Sequence, residues 1–351
     1  MEGTRMHRLC AVAVFVLATA GVAYASGEIS LIDAGGLEFY INTNLVTTYT
    51  SSASGAASDA SFTTSVSGVT TTGGDTTTTT LTDAFDGYGG ISMKVDDAEY
   101  VIYGDNGTAS MADGGRTVVF NTQTINEIDV FRKVFVPADD EFCRWLNVLT
   151  NTGASTKTIV LAVCAYLGYD NCTRIRSTSS GDIVATINDN WWVSADDPTC
   201  QDPPSSVLYE PRLGHVLQGP GAAVRLSSFT FKNDDGSYAW WEYTFDLAPG
   251  ETAIIMNLVT GQPNLNDAER KARSLTALSG SALDFMTDTE KQQVINFAAT
   301  ASGFGCIGGA LADSPALPLF SRLGGDMLMP GLVIGVLIAL SRRRAPKPAQ
   351  A

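Results

Sequence analysis

Four tryptophans stand as two adjacent pairs, and with one neighbouring carboxylate they are the residues that best fit a binding chemistry. The pairs are Trp191-Trp192 and Trp240-Trp241, and Glu242 follows the second pair directly. Because successive strand residues point to opposite faces, each pair would send one indole into the core and could leave the other outside. An exposed flat ring beside a carboxylate suits the C–H face of a sugar. The alternative is that the outer rings cover a sheet edge or pack under a loop.

Hydrolytic chemistry has less support in the sequence. Cleavage of a glycosidic bond needs two carboxyl groups roughly 5–10 Å apart, and a chain with 37 Asp and Glu residues offers many uninformative pairs. Glu242, between two aromatic residues, is the first choice of acid and Glu210 the second. The chain has no Gly-x-Ser-x-Gly motif, and His215 is the one histidine outside the N-terminal region. We therefore expect no serine–histidine triad.

Acidic turns could bind calcium, which takes oxygen ligands, but none has the spacing of a known calcium loop. Aspartate also forms turns in its own right. We predict no cofactor and keep calcium as an alternative. The glycine clusters lack the Lys-Ser or Lys-Thr of a phosphate loop, so no nucleotide is expected. The acidic clusters are Asp96-Asp97, Asp139-Asp140-Glu141, Asp196-Asp197 with Asp202, and Asn233-Asp234-Asp235.

Length and composition predict a folded body. The chain has 351 residues, of which 44% are hydrophobic and 9% aromatic, enough to fill the core of one large or two small domains. Its net charge of −15 argues against a nucleic-acid partner. Long apolar runs occur only at the two ends, which argues against a polytopic membrane protein.

The N-terminal segment has the form of a secretory signal peptide. Basic residues within Met1–Arg8 precede an apolar run, Leu9–Ala25, which closes on the small-x-small motif Ala23-Tyr24-Ala25 before Ser26. We therefore predict a signal peptide over residues 1–25 and an exported protein, with an uncleaved anchor as the alternative.

The C-terminal segment has the form of a membrane tether. A Gly/Ala/Pro-rich stalk over 300–326 leads to an apolar stretch and an arginine cluster over 327–344. With Gly324-Gly325, this end resembles the short sorting tails of bacterial surface proteins that exosortase- or rhombosortase-type enzymes recognise, although the Pro-Glu-Pro of one tail type is missing. The alternative is a plain single-span anchor. Both place the body at the cell surface or outer membrane, outside the cytoplasm.

Cysteine usage fits an oxidising compartment. Cys172 and Cys200 flank loops rich in Asp with Pro or Ser, and they are the first disulfide candidates. Cys143 and Cys164 lie on two consecutive strand-like segments, and a hairpin between these would set them opposite each other as a second candidate pair. Cys306 has no predicted partner within the chain, and we expect either a free thiol or an intermolecular disulfide.

The sequence that follows the predicted signal peptide has mostly the pattern of β-strands. Residues 26–82 hold a first strand and a Ser/Thr-rich segment, and from Asp83 onward turn signals recur at roughly 8–12 residues. This spacing predicts an all-β fold, a large antiparallel β-sandwich over 83–299. The expected strands are Leu37–Val46, Gly90–Val95, Glu99–Tyr103, Arg116–Phe120, Ile128–Val136, Phe142–Thr150, Thr158–Leu167, Ile183–Asn188, Trp191–Ser194, Ala223–Phe231, Tyr238–Leu247 and Thr252–Val259.

A short helical pair is expected at the end of the sandwich. Asp267–Leu278 has helical spacing and Asn266 is its expected cap. Asp288–Ala298 is the second helix, and Thr287 with Glu290 three residues later forms a capping box.

Several motifs together resemble a β-rich module that recurs in secreted, surface-anchored bacterial proteins. They are Asp83-Ala84-Phe85-Asp86-Gly87, the run from Phe131 to Asp140, Leu149-Thr150-Asn151-Thr152, Leu167-Gly168-Tyr169-Asp170, Thr178-Ser179-Ser180-Gly181-Asp182 and Ile295-Asn296-Phe297. The module's outline is similar to the supersandwich of galactose-mutarotase-like domains, which often handle carbohydrate.

No activity is settled for this module. From the sequence as a whole we predict a non-catalytic adhesion or carbohydrate-binding module whose partners are polysaccharides or other surface proteins. One alternative is a carbohydrate-active enzyme of supersandwich type. The other is a purely structural surface component.

Overall fold

The computed structural model describes residues 23–25, 27–43, 57–62, 66–70, 76–82, 84–85, 87–104, 108–168, 172–200, 210–233 and 237–298. The predicted stalk, the C-terminal tail, Cys306 and most of the signal peptide lie outside these ranges. Within them, no helix has both the length and the apolar character needed to cross a bilayer.

The described chain is built of antiparallel strands, as the alternating sequence predicts. In chain order the strands are β1 (Ala23–Ala25), β2 (Glu28–Ile32), β3 (Leu37–Asn42), β4 (Ala57–Phe62), β5 (Val66–Thr70), β6 (Thr76–Thr79), β7 (Gly87–Val95), β8 (Val101–Ile102), β9 (Thr108–Ala112), β10 (Thr117–Phe120), β11 (Gln123–Ile125), β12 (Ile128–Phe135), β13 (Cys143–Asn151), β14 (Lys157–Leu167), β15 (Thr173–Thr178), β16 (Trp191–Asp196), β17 (Arg212–Val216), β18 (Leu226–Lys232), β19 (Ser237–Leu247) and β20 (Thr252–Gln262).

Two large sheets form the sandwich. Sheet I has the strand order β1-β9-β10-β12-β13-β20-β17-β16-β15, with β11 also paired to β12. Sheet II has the order β18-β19-β14-β7-β4-β3-β2, with β8 also paired to β7, and β5 and β6 form a separate pair. The all-β sandwich is therefore confirmed. The predicted cleavage motif coincides with β1, which pairs with β9 at the edge of sheet I.

The main core lies between the two sheets. Strand β19 shows how it forms: Trp241, Tyr243 and Phe245 are buried in it, while the residues between them point away. Burying such a large aromatic side chain contributes on the order of 2–3 kcal/mol. The alternation of the sequence thus fixes which residues of sheet II can face a ligand.

Two helices cover the outer face of sheet I. Helix α1 (Leu265–Thr276) buries Ala268, Ala272 and Leu275 in a second apolar cluster that also holds Met256 and Leu258 of β20. Because both faces of β20 are buried, its sequence is almost continuously apolar. Helix α2 (Asp288–Gln293) completes the helical layer.

The helix ends depart from expectation by a few residues. Helix α1 is capped by Asn264, whose side chain accepts a hydrogen bond from the Asp267 N–H, two residues earlier than predicted. The capping box of Thr287 and Glu290 is confirmed. Helix α2 ends at Gln293, not at the predicted Ala298, because the chain then extends and Val294 forms a bridge to Ile254 of β20.

One expected strand is a loop. Residues Ile183–Asn188 connect β15 to β16, and the buried carboxylate of Asp189 holds this loop in place. It accepts hydrogen bonds from the Ser180 N–H and the Thr186 N–H, both at 2.9 Å. The prediction failed because the apolar residues of this loop, Ile183, Val184 and Ile187, are exposed. Strands β2, β9, β11, β15 and β17 were not predicted.

The two disulfide candidates have opposite outcomes. Cys172 and Cys200 form a disulfide, which confirms the first candidate. The second is wrong: Cys143 and Cys164 are both buried, and no disulfide joins them. Strands β13 and β14 belong to different sheets, so Cys143 lies opposite Val259 in sheet I and Cys164 lies beside Trp240 in sheet II.

Candidate functional site

The first tryptophan pair is buried on both faces of sheet I. Trp192 is 1% exposed and stacks on His215 between the sheets, with ring centroids 3.7 Å apart. Trp191 is 3% exposed and lies on the opposite face, in the apolar cluster under α1, with the Arg273 guanidinium 4.8 Å from its ring centroid. The expectation that one ring of this pair faces outward is wrong, because helix α1 covers the outer face here.

The second pair follows the alternation of β19. Trp241 is fully buried, and its ring centroid lies 6.2 Å from that of Tyr88 in the core. Trp240 points to the outer face of sheet II and is half-buried. Of the four predicted indoles, Trp240 is therefore the one that reaches the surface.

Glu242 holds Trp240 in place together with a tyrosine from another part of the chain. The Oε1 atom of Glu242 accepts hydrogen bonds from Trp240 Nε1 at 3.0 Å and from the Tyr100 hydroxyl at 2.9 Å. The two rings meet edge to face with centroids 6.4 Å apart, and Tyr100 is 38% exposed. Such pairs of rings are typically worth 0.5–1.5 kcal/mol beyond their buried area.

A second aromatic pair extends this surface along the same strands. Tyr166 of β14 lies directly opposite Tyr238 of β19, and their rings stack with centroids 6.1 Å apart. The Lys232 ammonium lies 5.8 Å from the Tyr238 ring centroid. Tyr238 and Trp240 are two residues apart on one strand, a spacing of ~6.8 Å on one face.

We call the side chains Tyr100, Tyr166, Tyr238 and Trp240 the aromatic strip. Sequence reasoning found Trp240 and Glu242 but missed the three tyrosines. The alternate spacing Tyr238-x-Trp240-x-Glu242 could have identified Tyr238. Tyr166 joins the strip because β14 pairs with β19. Tyr100 joins it from the segment before β8, which pairs with β7 on the other side of β14.

The two carboxylates chosen as candidate acids do not form a pair. Glu242 lies on the outer face of sheet II, whereas Glu210 is buried at the start of β17 in sheet I. Glu210 accepts a hydrogen bond from the Thr173 hydroxyl at 2.8 Å, and its carbonyl oxygen accepts one from Arg212. These two candidate acids therefore lie in different sheets, and neither faces the other.

His215 lies in the core. The Tyr88 hydroxyl is 2.8 Å from Nδ1, and the Ser194 hydroxyl is 2.9 Å from Nε2. Complete burial lowers the pKa of His215 to about 3, so the ring is neutral at ordinary pH. This histidine joins the two sheets through hydrogen bonds.

Among the described residues, no group of three or more His, Cys, Asp or Glu side chains has the arrangement of a metal site. Two of the acidic clusters hold structural contacts: Asp140 pairs with Lys271 of α1, and Asp96 pairs with Lys157 at 3.5 Å. Asp202, Asp234 and Asp235 lie outside the described ranges.

The chain matches no model of a protein family and no curated protein sequence. Three solved structures are partly similar in shape. A polysaccharide lyase aligns at 13% identity and a TM-score of 0.39, over 68% of this chain and 34% of the lyase. A galactose mutarotase related enzyme from Lactobacillus acidophilus aligns at 8% identity and a TM-score of 0.32, over 67% of this chain and 97% of the enzyme.

The third is a galactose mutarotase-like protein from Lactobacillus casei, at 10% identity and a TM-score of 0.36, over 67% of this chain and 99% of that protein. The chain thus spans about a third of the length of the lyase. At such low identities and TM-scores, none of the three assigns a role to any residue of the aromatic strip.

Proposed function

We propose that this chain is an exported, membrane-tethered bacterial surface protein that binds carbohydrate through the aromatic strip without cleaving it. The observation that supports this most strongly is the arrangement of Glu242. One carboxylate oxygen fixes Trp240 and Tyr100, so that a pair of rings is oriented on the outer face of a rigid sheet before any ligand arrives. Such preorganisation lowers the entropy lost on binding.

The chemistry of the strip suits a polysaccharide. Aromatic rings offer flat apolar area at low conformational cost, and the C–H faces of pyranose rings can stack on them. Lys232 and Glu242 flank the rings with a hydrogen-bond donor and acceptors for sugar hydroxyls. The spacing of Tyr238 and Trp240 along one strand would accommodate successive rings of an extended chain.

The role of Glu242 favours binding over catalysis. Its Oε1 atom already accepts two hydrogen bonds from ring donors, which orient the carboxylate as a support for the aromatic rings. Glu210, the other candidate acid, is buried in the other sheet. Neither observation supplies the facing pair of carboxyl groups that glycoside hydrolysis uses.

The proposed location rests on the two ends of the sequence. The leader-like residues 1–25 and the tail over 327–344 have the forms of an export signal and of an anchor or sorting tail. The Cys172–Cys200 disulfide supports the same location, because disulfides persist in oxidising compartments outside the cytoplasm.

The test is a titration of the protein with a panel of bacterial and plant polysaccharides, with and without calcium. Binding is followed by calorimetry, and released reducing sugar is assayed in parallel. We expect at least one saturable isotherm without sugar release, and at least a tenfold loss of affinity in Trp240→Ala, which equals about 1.4 kcal/mol.

A matched control is Tyr40→Ala. Tyr40 lies on β3 of the same sheet, and its hydroxyl also donates to a glutamate, Glu38, at 2.9 Å. This variant should bind like the unmodified protein. Equal losses in both variants, or no binding to any polysaccharide, would contradict the proposal. Sugar release that Glu242→Gln abolishes would favour the enzyme alternative instead.

A further inference from the structure

Arg132 is a cation enclosed between the two sheets. It lies on the inner face of β12 and is 1% exposed. Its Nε atom donates to the Asn147 side-chain oxygen at 2.9 Å, and Nη2 donates to the Gly89 carbonyl at 2.5 Å. The third nitrogen, Nη1, is buried and has no acceptor among the described residues. Its polar contacts are thus neutral groups.

Two further donors without acceptors lie beside this guanidinium. Asn147 is directly opposite Arg132 in the sheet, and Trp145 lies two residues along the same strand on the same face. The Asn147 Nδ2 and Trp145 Nε1 atoms are buried and also lack acceptors among the described residues. Trp145 Nε1 comes within 3.0 Å of the position that a Cβ on Gly89 would occupy. Arg132 and Trp145 therefore both contact Gly89, and Asn147 is hydrogen-bonded to Arg132.

Among the described residues, the titratable groups that act on the charge of Arg132 are the Tyr103 phenol and the Cys143 thiol, and neither is a carboxylate. Burial raises the pKa of Cys143 well above its ordinary value, so the thiol stays neutral. Burial lowers the pKa of Arg132 to about 10, which leaves the guanidinium protonated at neutral pH. A buried charge without a partner is strongly unfavourable.

Arg144, on the neighbouring strand, shows how this chain compensates a buried guanidinium elsewhere. Arg144 is 2% exposed on the opposite face of sheet I. It donates to the Ala282 and Asp284 carbonyls at 2.7 and 2.9 Å, and the carboxylates of Glu290, Asp113 and Asp284 act on its charge. Within the part of the chain that the structure describes, no carboxylate acts on the charge of Arg132 in this way.

We propose that a small monovalent anion of the halide class binds between the sheets, held by Arg132 Nη1, Asn147 Nδ2 and Trp145 Nε1. The anion supplies the missing negative charge and the missing acceptor for all three donors. It is a structural ligand of the folded state, separate from the aromatic strip on the outer face of sheet II. A ligand that binds only the folded state raises the melting temperature with its concentration.

The first test measures the melting temperature of the full chain in chloride, bromide or gluconate at one ionic strength. Gluconate is too large for a site between packed sheets. We expect a saturable rise of a few degrees with chloride and bromide over gluconate. Arg132→Met should abolish this difference, and Arg144→Met should keep it.

The second test does not depend on a variant that folds. Crystals of the unmodified protein are soaked in bromide, and its anomalous scattering is recorded. The proposal predicts a bromide peak within hydrogen-bond distance of Arg132 Nη1 and Trp145 Nε1. Equal melting temperatures in chloride and gluconate, or a bromide-soaked crystal with only a water between these atoms, would overturn it.

Discussion

The two tryptophan pairs have the same sequence pattern and opposite environments. In Trp191-Trp192 both rings are buried, one in each of the apolar layers that flank sheet I. In Trp240-Trp241 one ring is buried and the other reaches the surface beside Tyr100. Alternation places the two rings of each pair on opposite faces in both strands. Whether the outer ring is exposed depends on what covers that face, and α1 covers it for Trp191.

The largest difference should appear in stability. Trp192→Ala removes a fully buried indole from the core and should lower the free energy of unfolding by roughly 3–5 kcal/mol. Trp240→Ala removes a half-buried ring that contacts the Tyr100 ring and is hydrogen-bonded to Glu242, and should cost less, roughly 1–2 kcal/mol. Denaturant unfolding of both variants measures this comparison. Equal losses would show that Trp240 is packed as tightly as Trp192, which the observed burial does not allow.

The Cys172–Cys200 disulfide should stabilise the region of the Trp191-Trp192 pair and not the region of the Trp240-Trp241 pair. Cys172 and Cys200 flank β15 and β16, and they close a loop with a sequence separation of 28. Loop-closure entropy gives about 3–4 kcal/mol for such a crosslink. Cys172→Ser with Cys200→Ser should reduce stability by that order while glycan affinity stays the same. A parallel loss of affinity would mean that the strip depends on the Trp192 side of the sandwich.

His215, which stacks on Trp192, makes the stability of this part of the core depend on pH. Its pKa is about 3 in the folded protein and 6.5 ordinarily, so the unfolded chain binds the extra proton between these values. The contribution of His215 to stability should therefore fall as pH drops below about 6.5, by about 2 kcal/mol from pH 7 to pH 5.

The measurement compares the free energy of unfolding of the unmodified protein with that of His215→Gln at pH 7 and at pH 5. We expect the difference between the two proteins to be smaller at pH 5. Burial raises the pKa of Asp33 to about 7, which acts in the opposite direction, but this contribution is common to both proteins and cancels. A difference that does not change with pH would mean that His215 can be protonated without unfolding.

The smallest expected effect concerns Glu242, which supports the aromatic strip. Glu242→Gln keeps an oxygen at the position of Oε1, which can still accept from Trp240 and Tyr100. Polysaccharide affinity should therefore stay within about threefold, less than 1 kcal/mol. Glu242→Ala, which removes the acceptor, should weaken binding further. If Glu242→Gln binds as weakly as Trp240→Ala, the charge of Glu242 contacts the ligand directly.

Local patterns in the sequence predicted much of the fold. Alternation located most of the long strands and set Trp241 inward and Trp240 outward. The capping box at Thr287 identified the start of α2. The turn composition around Cys172 and Cys200 identified the disulfide.

Long-range arrangement accounts for the failures. The hairpin expected between Cys143 and Cys164 is a crossover between sheets, where the Asn151 side chain donates to the Ser155 and Leu247 carbonyls and accepts from the Gly153 N–H. The sequence around Gly153 has the composition of a tight turn, whether the chain forms a hairpin within one sheet or crosses between the two sheets. Tyr100 was missed because its place beside Trp240 depends on the order of strands within sheet II.

The most direct test of the binding site follows the five indole N–H signals of the isotope-labelled protein by nuclear magnetic resonance. A polysaccharide that binds in the titration is added stepwise, and single Trp→Phe variants assign the signals. We expect the Trp240 signal to shift in a saturable manner, while the signals of the buried Trp192 and Trp241 do not move. An unchanged Trp240 signal at saturation would place the binding site elsewhere and contradict the proposed role of the aromatic strip.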